Sequence, residues 1–118
     1  MSPRRRSAGA EARLREAAPV FAALGDETRL RVVARLCAEG PLSIARLSDG
    51  SGVTRQAITK HLGALTAAGL VRDEWSGRER VFELETARLQ RARRYLEQVS
   101  TQWDGAIARL RAFVEAKS

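Results

Sequence analysis

Apolar residues along the chain recur at two different periods. From Glu11 to Leu24 they stand at Leu14, Ala17, Ala18, Phe21 and Leu24, three and four residues apart, as on one face of a helix. Pro19 interrupts that run and predicts a kink or a fresh start there, because its ring removes an N–H donor. Gly25 ends it, and Asp26 is a good N-cap for a second helix over 27–39, with Leu30, Val33, Leu36 and Cys37 as its inward positions. Gly40-Pro41 stops this helix. Ser43 caps a short third helix with Ile44 and Leu47 inward, and Asp49-Gly50-Ser51-Gly52 is a turn cluster. Thr54 caps a fourth helix reaching Ala68 and closed by Gly69. Its inward row is Ile58, Leu62 and Leu65; Arg55, Gln56, Thr59, Lys60 and Gly63 face outward.

After Gly69 the helical period ends. Leu70–Trp75 and Arg78–Leu84 flank Ser76-Gly77, which predicts a β-hairpin. Thr86 then opens a final helix with a seven-residue repeat. Leu89, Leu96, Trp103 and Leu110 form one row, and Ala92, Val99, Ala106 and Phe113 a second row offset by three. Alternating three- and four-residue spacing over so many turns makes a stripe suited to another helix. A helix of roughly 30 residues is about 45 Å long, more than a domain this small can cover, so pairing with a second copy is expected. The expected fold is mainly α with a small β-hairpin and about five helices. Residues 1–10 read as a disordered basic arm, 11–85 as the folded domain and 86–118 as a dimerisation helix.

Charge narrows the chemistry. Lys plus Arg is 21 against 14 for Asp plus Glu, a formal charge of +7 in 118 residues. Excess positive charge in a small domain favours an anionic partner, most often nucleic acid. No apolar run approaches the roughly 20 residues of a membrane span, so no membrane partner is expected. The Met1–Arg6 stretch has charge without a following apolar run, which is not the pattern of a signal peptide. A cytoplasmic protein is the default. One cysteine forms no internal disulfide, and one cysteine with one histidine builds no Cys/His zinc cage within one chain. No Ser/His/Asp set, carboxylate pair or Gly-rich phosphate loop points to an enzyme, and no cofactor is implied.

The third and fourth helices with their tight turn form a helix-turn-helix, and the hairpin after them makes it a winged helix. A helix fits the major groove of B-DNA and presents its outward side chains to base edges. Arg55 and Gln56, near the start of the fourth helix, are long enough to reach bases. Thr54, Thr59 and Lys60 supply donors for phosphates, Ser43 counts with them among the DNA-binding residues, and Arg78 and Arg80 flank the hairpin turn. A salt-bridged hairpin is the bland alternative, since Asp73, Glu74 and Glu79 share it.

The stretch FAALGDETRLRVVARLCAEGPLSIARLSDGSGVTRQAITKHLGALTAAGLVRDEWSGRERVFEL resembles the ArsR family of bacterial winged-helix repressors. The likeness is densest at Asp26–Leu30, Ile58–Leu62, Ala68–Val71 and Gly77-Arg78. It implies a homodimer, joined through its first and last helices, that reads a palindromic operator under the control of an effector. It puts Gln56, Thr59 and His61 at positions that touch DNA, and Gly63 where the family often has Lys. Phe21, Leu89, Leu96, Val99, Trp103, Ala106, Leu110 and Phe113 are the expected interface. The family's metal motifs are missing: the third helix has no thiolate pair, and the last has Glu97, Asp104 and Glu115 but no His. No metal ligand set is therefore expected, and the chain is closest to the subgroup without one; no motif names an effector.

Other readings stay open at this level. The fold could serve a small-molecule- or thiol-responsive regulator. It could also be a protein-interaction module without DNA binding, although Arg55, Lys60 and Arg78 argue against that. Cys37 reads as a small core residue, His61 as a structural or phosphate-contacting group, and Arg88, Arg91 and Arg94 as a solvated basic stripe.

Overall fold

A computed structural model describes residues 3–117. The elements run α1 (Pro3–Leu24), α2 (Glu27–Glu39), β1 (Leu42–Ser43), α3 (Ile44–Ser48), α4 (Arg55–Ala67), β2 (Val71–Ser76), β3 (Glu79–Leu84) and α5 (Thr86–Lys117). Five helices and a small antiparallel sheet make this a winged helix-turn-helix. No helix among the described residues is long and apolar enough to cross a membrane.

α1 begins inside the stretch expected to be a disordered arm. Arg and Ala are strong helix formers, and Pro3 stands at the first helical position, where its missing N–H costs nothing. Met1 and Ser2 lie outside the described residues. The helix runs unbroken through Pro19, which is exposed. Ala17, Val20 and Ala23 form its buried row, whereas Leu14 is exposed.

Local chemistry sets the ends of α2 and α4. Asp26 is extended, and its carboxylate accepts the Arg29 N–H at 3.0 Å. Thr54 caps α4 by accepting the Ala57 N–H at 3.1 Å. At the far end of α4 the Gly69 N–H donates to the Thr66 carbonyl at 2.9 Å and the Leu70 N–H to the Leu65 carbonyl at 3.0 Å. This pair is a Schellman motif, and it needs the left-handed φ of +75° that Gly69 adopts. Leu65 and Leu70, both fully buried, close its hydrophobic contact.

The core lies beneath α4. Val20, Leu47, Ile58, Leu62, Leu65 and Leu70 are its largest fully buried side chains, each contributing about 1.5–3 kcal/mol by leaving water. On α2 the buried positions are Val32 and Leu36; Leu30 and Cys37 are exposed. The expected stripe of Leu30, Val33, Leu36 and Cys37 is thus rotated, because α2 packs on α4 through its Val32 side. Cys37 is not a core residue.

The sheet order is β1-β3-β2. β1 is only two residues long and pairs Leu42 with Phe82 and Ser43 with Val81. In the hairpin Ser76 pairs with Glu79, so the turn is Gly77-Arg78 rather than Ser76-Gly77. Gly77 at the first central position has φ +64°, as in II′ turns. The one-residue change carries Arg78 out of the strand and onto the tip.

α5 is about 48 Å long at 1.5 Å per residue. Only its start is embedded: Ala92 is buried and Leu89 half-buried, and Tyr95 meets Phe21 of α1 with ring centroids 6.3 Å apart. Beyond that, Leu96, Val99, Trp103, Ile107 and Leu110 are exposed. The radius of gyration is 19.5 Å, against roughly 13.5 Å for a compact chain of this length. The projecting part of α5 contributes to the excess.

Candidate nucleic-acid interface

α4 separates two rows of side chains. Ile58, Leu62 and Leu65 are buried, and at about 100° per residue Gln56 and Lys60 point about 160° away from Ile58, one to each side. Arg55, Gln56, Thr59 and Lys60 are all exposed. Arg55 and Lys60 form no ion pair with any described residue. The Thr54 cap uses a lone pair of the hydroxyl oxygen, so the hydroxyl hydrogen is left to donate elsewhere. The Thr59 hydroxyl donates to the Arg55 carbonyl at 2.8 Å and keeps only acceptor capacity outward.

Gly63 lies between these groups on the outward face. A Cβ built there meets nothing within 4 Å. No neighbour within the chain requires glycine at that point, yet glycine in a helix costs about 0.5–1 kcal/mol relative to alanine. Ala67, one turn further along, continues the same low surface.

The wing is more selective in its charge than its sequence suggested. Over 71–84 it carries three arginines and four carboxylates. Arg72 donates to Glu83 at 2.6 Å and Glu85 at 3.0 Å. Arg80 donates to Asp73 at 2.7 Å and lies over the Phe82 ring, 5.2 Å from its centroid. The Arg80 hydrogen bond holds the Asp73 carboxyl below its ordinary range. Arg80 is therefore largely committed to the hairpin. Arg78, at the tip, forms no ion pair with any described residue and is exposed.

Two further residues expected at this surface stand elsewhere. Ser43 is buried, accepts the Arg46 N–H at 3.2 Å and sits in the β1–β3 ladder, so its hydroxyl belongs to the fold. His61 is turned toward α2. Its Nδ1 accepts from Arg29 Nε at 3.3 Å, while Arg29 Nη1 donates to the Ala23 carbonyl at 3.0 Å. The same Nδ1 lies 3.9 Å from the Asp26 carboxylate. Arg29 thus ties the end of α1, the start of α2 and the middle of α4 together. Its partner His61 is 32 positions away, and no local pattern carries that pairing.

α3 carries no thiolate, and no group of three or more His, Cys, Asp or Glu placed to hold a metal occurs among the described residues.

Comparison with known proteins matches this geometry. A helix-turn-helix domain family matches residues 24–74. The HTH-type transcriptional regulator Rv2034 of Mycobacterium tuberculosis is 39% identical over 80 residues, covering 68% of this chain and 74% of that protein. YuzN of Bacillus subtilis, an uncharacterized HTH-type transcriptional regulator, is 38% identical over 69 residues, covering 53% and 75%. Among solved structures, an ArsR-like transcriptional regulator from Rhodococcus sp. RHA1 superposes with a TM-score of 0.71 at 40% identity, over 83% of this chain and 92% of that one.

Proposed function

Because the chain belongs to the ArsR-like helix-turn-helix transcriptional regulators, a family of DNA-binding proteins and not enzymes, we propose that it is a homodimeric repressor acting on a palindromic operator in the cytoplasm. The observation that carries the reading is the outward face of α4, where Arg55, Gln56 and Lys60 flank a glycine that nothing inside the chain requires. Gln56 and Arg55 are the base readers, Gln56 suited to bidentate bonding with adenine. Lys60, Thr54 and Arg78 bind phosphates, and the N-terminus of α4 adds its own attraction for an anion. Thr59 offers an acceptor. Gly63 and Ala67 let the helix lie close against the groove. Ser43 and His61 act indirectly, through α3 and through the Arg29 tie.

The dimer rests on α5. Leu96, Val99, Trp103 and Leu110 line a continuous exposed apolar row, with Ala106 and Phe113 completing the repeat. Phe21 and Leu89 contribute from the root, where α1 and α5 already touch. Two copies joined along this spine would present two α4 helices to successive major grooves about 34 Å apart. Repression follows when the bound dimer blocks the promoter.

Selection of tightly bound duplexes from a random pool tests the reading. An inverted repeat with half-sites about 10 base pairs apart is expected. Recovery of duplexes without sequence preference, or of a single half-site bound by one chain, overturns it.

A further inference from the structure

We propose that the groove between α1 and α5 binds a small organic anion, a flat apolar body bearing a phosphate or carboxylate. The groove has a volume of about 350 Å³, within the range of small-ligand sites. Arg13 of α1 and Arg88, Arg91 and Arg94 of α5 surround it. Glu16 is the one carboxylate among its lining residues, and it is spent on Arg91 at 2.6 Å. Arg13, Arg88 and Arg94 form no ion pair with any described residue. Guanidinium groups gathered at a concave surface repel one another, and an anion seated among them relieves that repulsion while accepting forked hydrogen bonds.

The rest of the lining suits an apolar body. Ala17 and Ala92 are buried at the floor, and half-buried Tyr95 forms a wall that is steadied by Phe21. A larger hollow of about 690 Å³ lies between α2 and the α3–α4 connection, but its cations are already used. There Arg31 is paired with Glu27, and Arg35 bonds Glu39 and two backbone carbonyls.

The groove borders the apolar stripe at its floor, through Ala92, and opens away from it at its basic side: nine residues at about 100° each put Arg94 about 180° around α5 from Trp103, so a dimer along the stripe leaves the Arg94 side open. The groove also lies at the Gly69 end of α4, roughly 20 Å from Arg55. Arg88 joins the two regions, since a Cβ on Gly69 would come within 2.6 Å of Arg88 Nε. On the DNA-binding reading, an anion that draws Arg88 into the groove alters how the end of α4 is held, which gives the site a regulatory output.

Calorimetric titration of the full chain without DNA tests the site, so that its failure leaves the DNA reading intact. The probe is phenyl phosphate, with inorganic phosphate and benzyl alcohol as its charged and apolar halves. One saturable site per chain is expected, with phenyl phosphate about tenfold tighter than either half. Arg13→Gln and Arg94→Gln should each weaken binding about tenfold, the loss of one charge-assisted contact. Arg109→Gln removes the same charge outside the groove and should change nothing. Absence of saturable binding, or equal weakening by Arg109→Gln, overturns the proposal. So does a uniform loss of duplex affinity in Arg13→Gln and Arg94→Gln with a shallower salt dependence, since the groove would then track a DNA backbone.

Discussion

Replacing Gly63 with alanine separates what the fold needs from what the DNA surface needs. The residue sits inside α4, on the face turned away from the core, and an added Cβ meets nothing within 4 Å. There is no steric penalty to subtract, so the full helix-propensity gain of about 0.8–1 kcal/mol should appear as added stability. With an unfolding entropy of about 2.1 cal/mol/K per residue, a chain of this length should melt about 3–4 °C higher. The melt is followed by circular dichroism at one fixed protein concentration without DNA, since the proposed dimerisation would make the midpoint concentration-dependent. Fluorescence anisotropy with a selected duplex gives the second reading. There Gly63→Ala should bind more weakly, because the methyl group pushes back a helix lying against the groove. A more stable variant with unchanged DNA affinity would refute the close approach. A less stable one would refute the placement of Gly63 on an open face.

Gln56→Ala should reduce discrimination between the selected operator and a mismatched duplex by about 1–3 kcal/mol, whereas Arg78→Ala should weaken both alike and lower the slope of log K against log salt by about 0.9; competition binding at several salt concentrations separates the two. Trp103→Glu puts a charge into the exposed stripe of α5 and should leave a monomer by sedimentation, whereas an unchanged mass contradicts pairing along that helix. The Arg29 N–H holds the Asp26 carboxyl below its ordinary range, so this cap's stabilisation is fully present above the unfolded carboxyl's pKa and is lost as pH falls through the lower folded one. The melting temperature should accordingly fall as the pH drops below about 4. Asp26→Asn, a cap that does not titrate, should flatten that fall, and an unaltered pH profile would remove Asp26 from the account. Gly69→Ala should destabilise by about 1–2 kcal/mol from its left-handed φ alone, and a partial rescue by Arg88→Ala would measure the side-chain contact beside it.

The parts of the fold legible in the sequence were those governed by neighbours. Asp26, Thr54 and Gly69 mark helix ends through bonds that span three to five residues, and each stands where the pattern put it. The buried row of α4 was readable for the same reason. α2 was not, because its apolar residues fill more than one face and only the packing on α4 decides for Val32 over Leu30. β1 was hidden because two residues make no pattern, and its pairing lies with β3, some forty positions on. The turn was misplaced by one residue because Gly77 serves equally well in either central position until the strand register is known. His61 read as a structural or phosphate-contacting group, and only the resemblance put it at the DNA; its partner Arg29, far off in the chain, holds it against α2.

The distribution of charge on the wing also bears on where the protein spends its time when no operator is near. A uniformly cationic finger would cling to any stretch of duplex in any pose. This one has its shaft arginines paired to carboxylates and an unpaired arginine at its end, so on the proposed function end-on contact with a phosphate chain should be favoured over lengthwise contact. Haphazard encounters should then be short-lived, with wrong postures made uncomfortable.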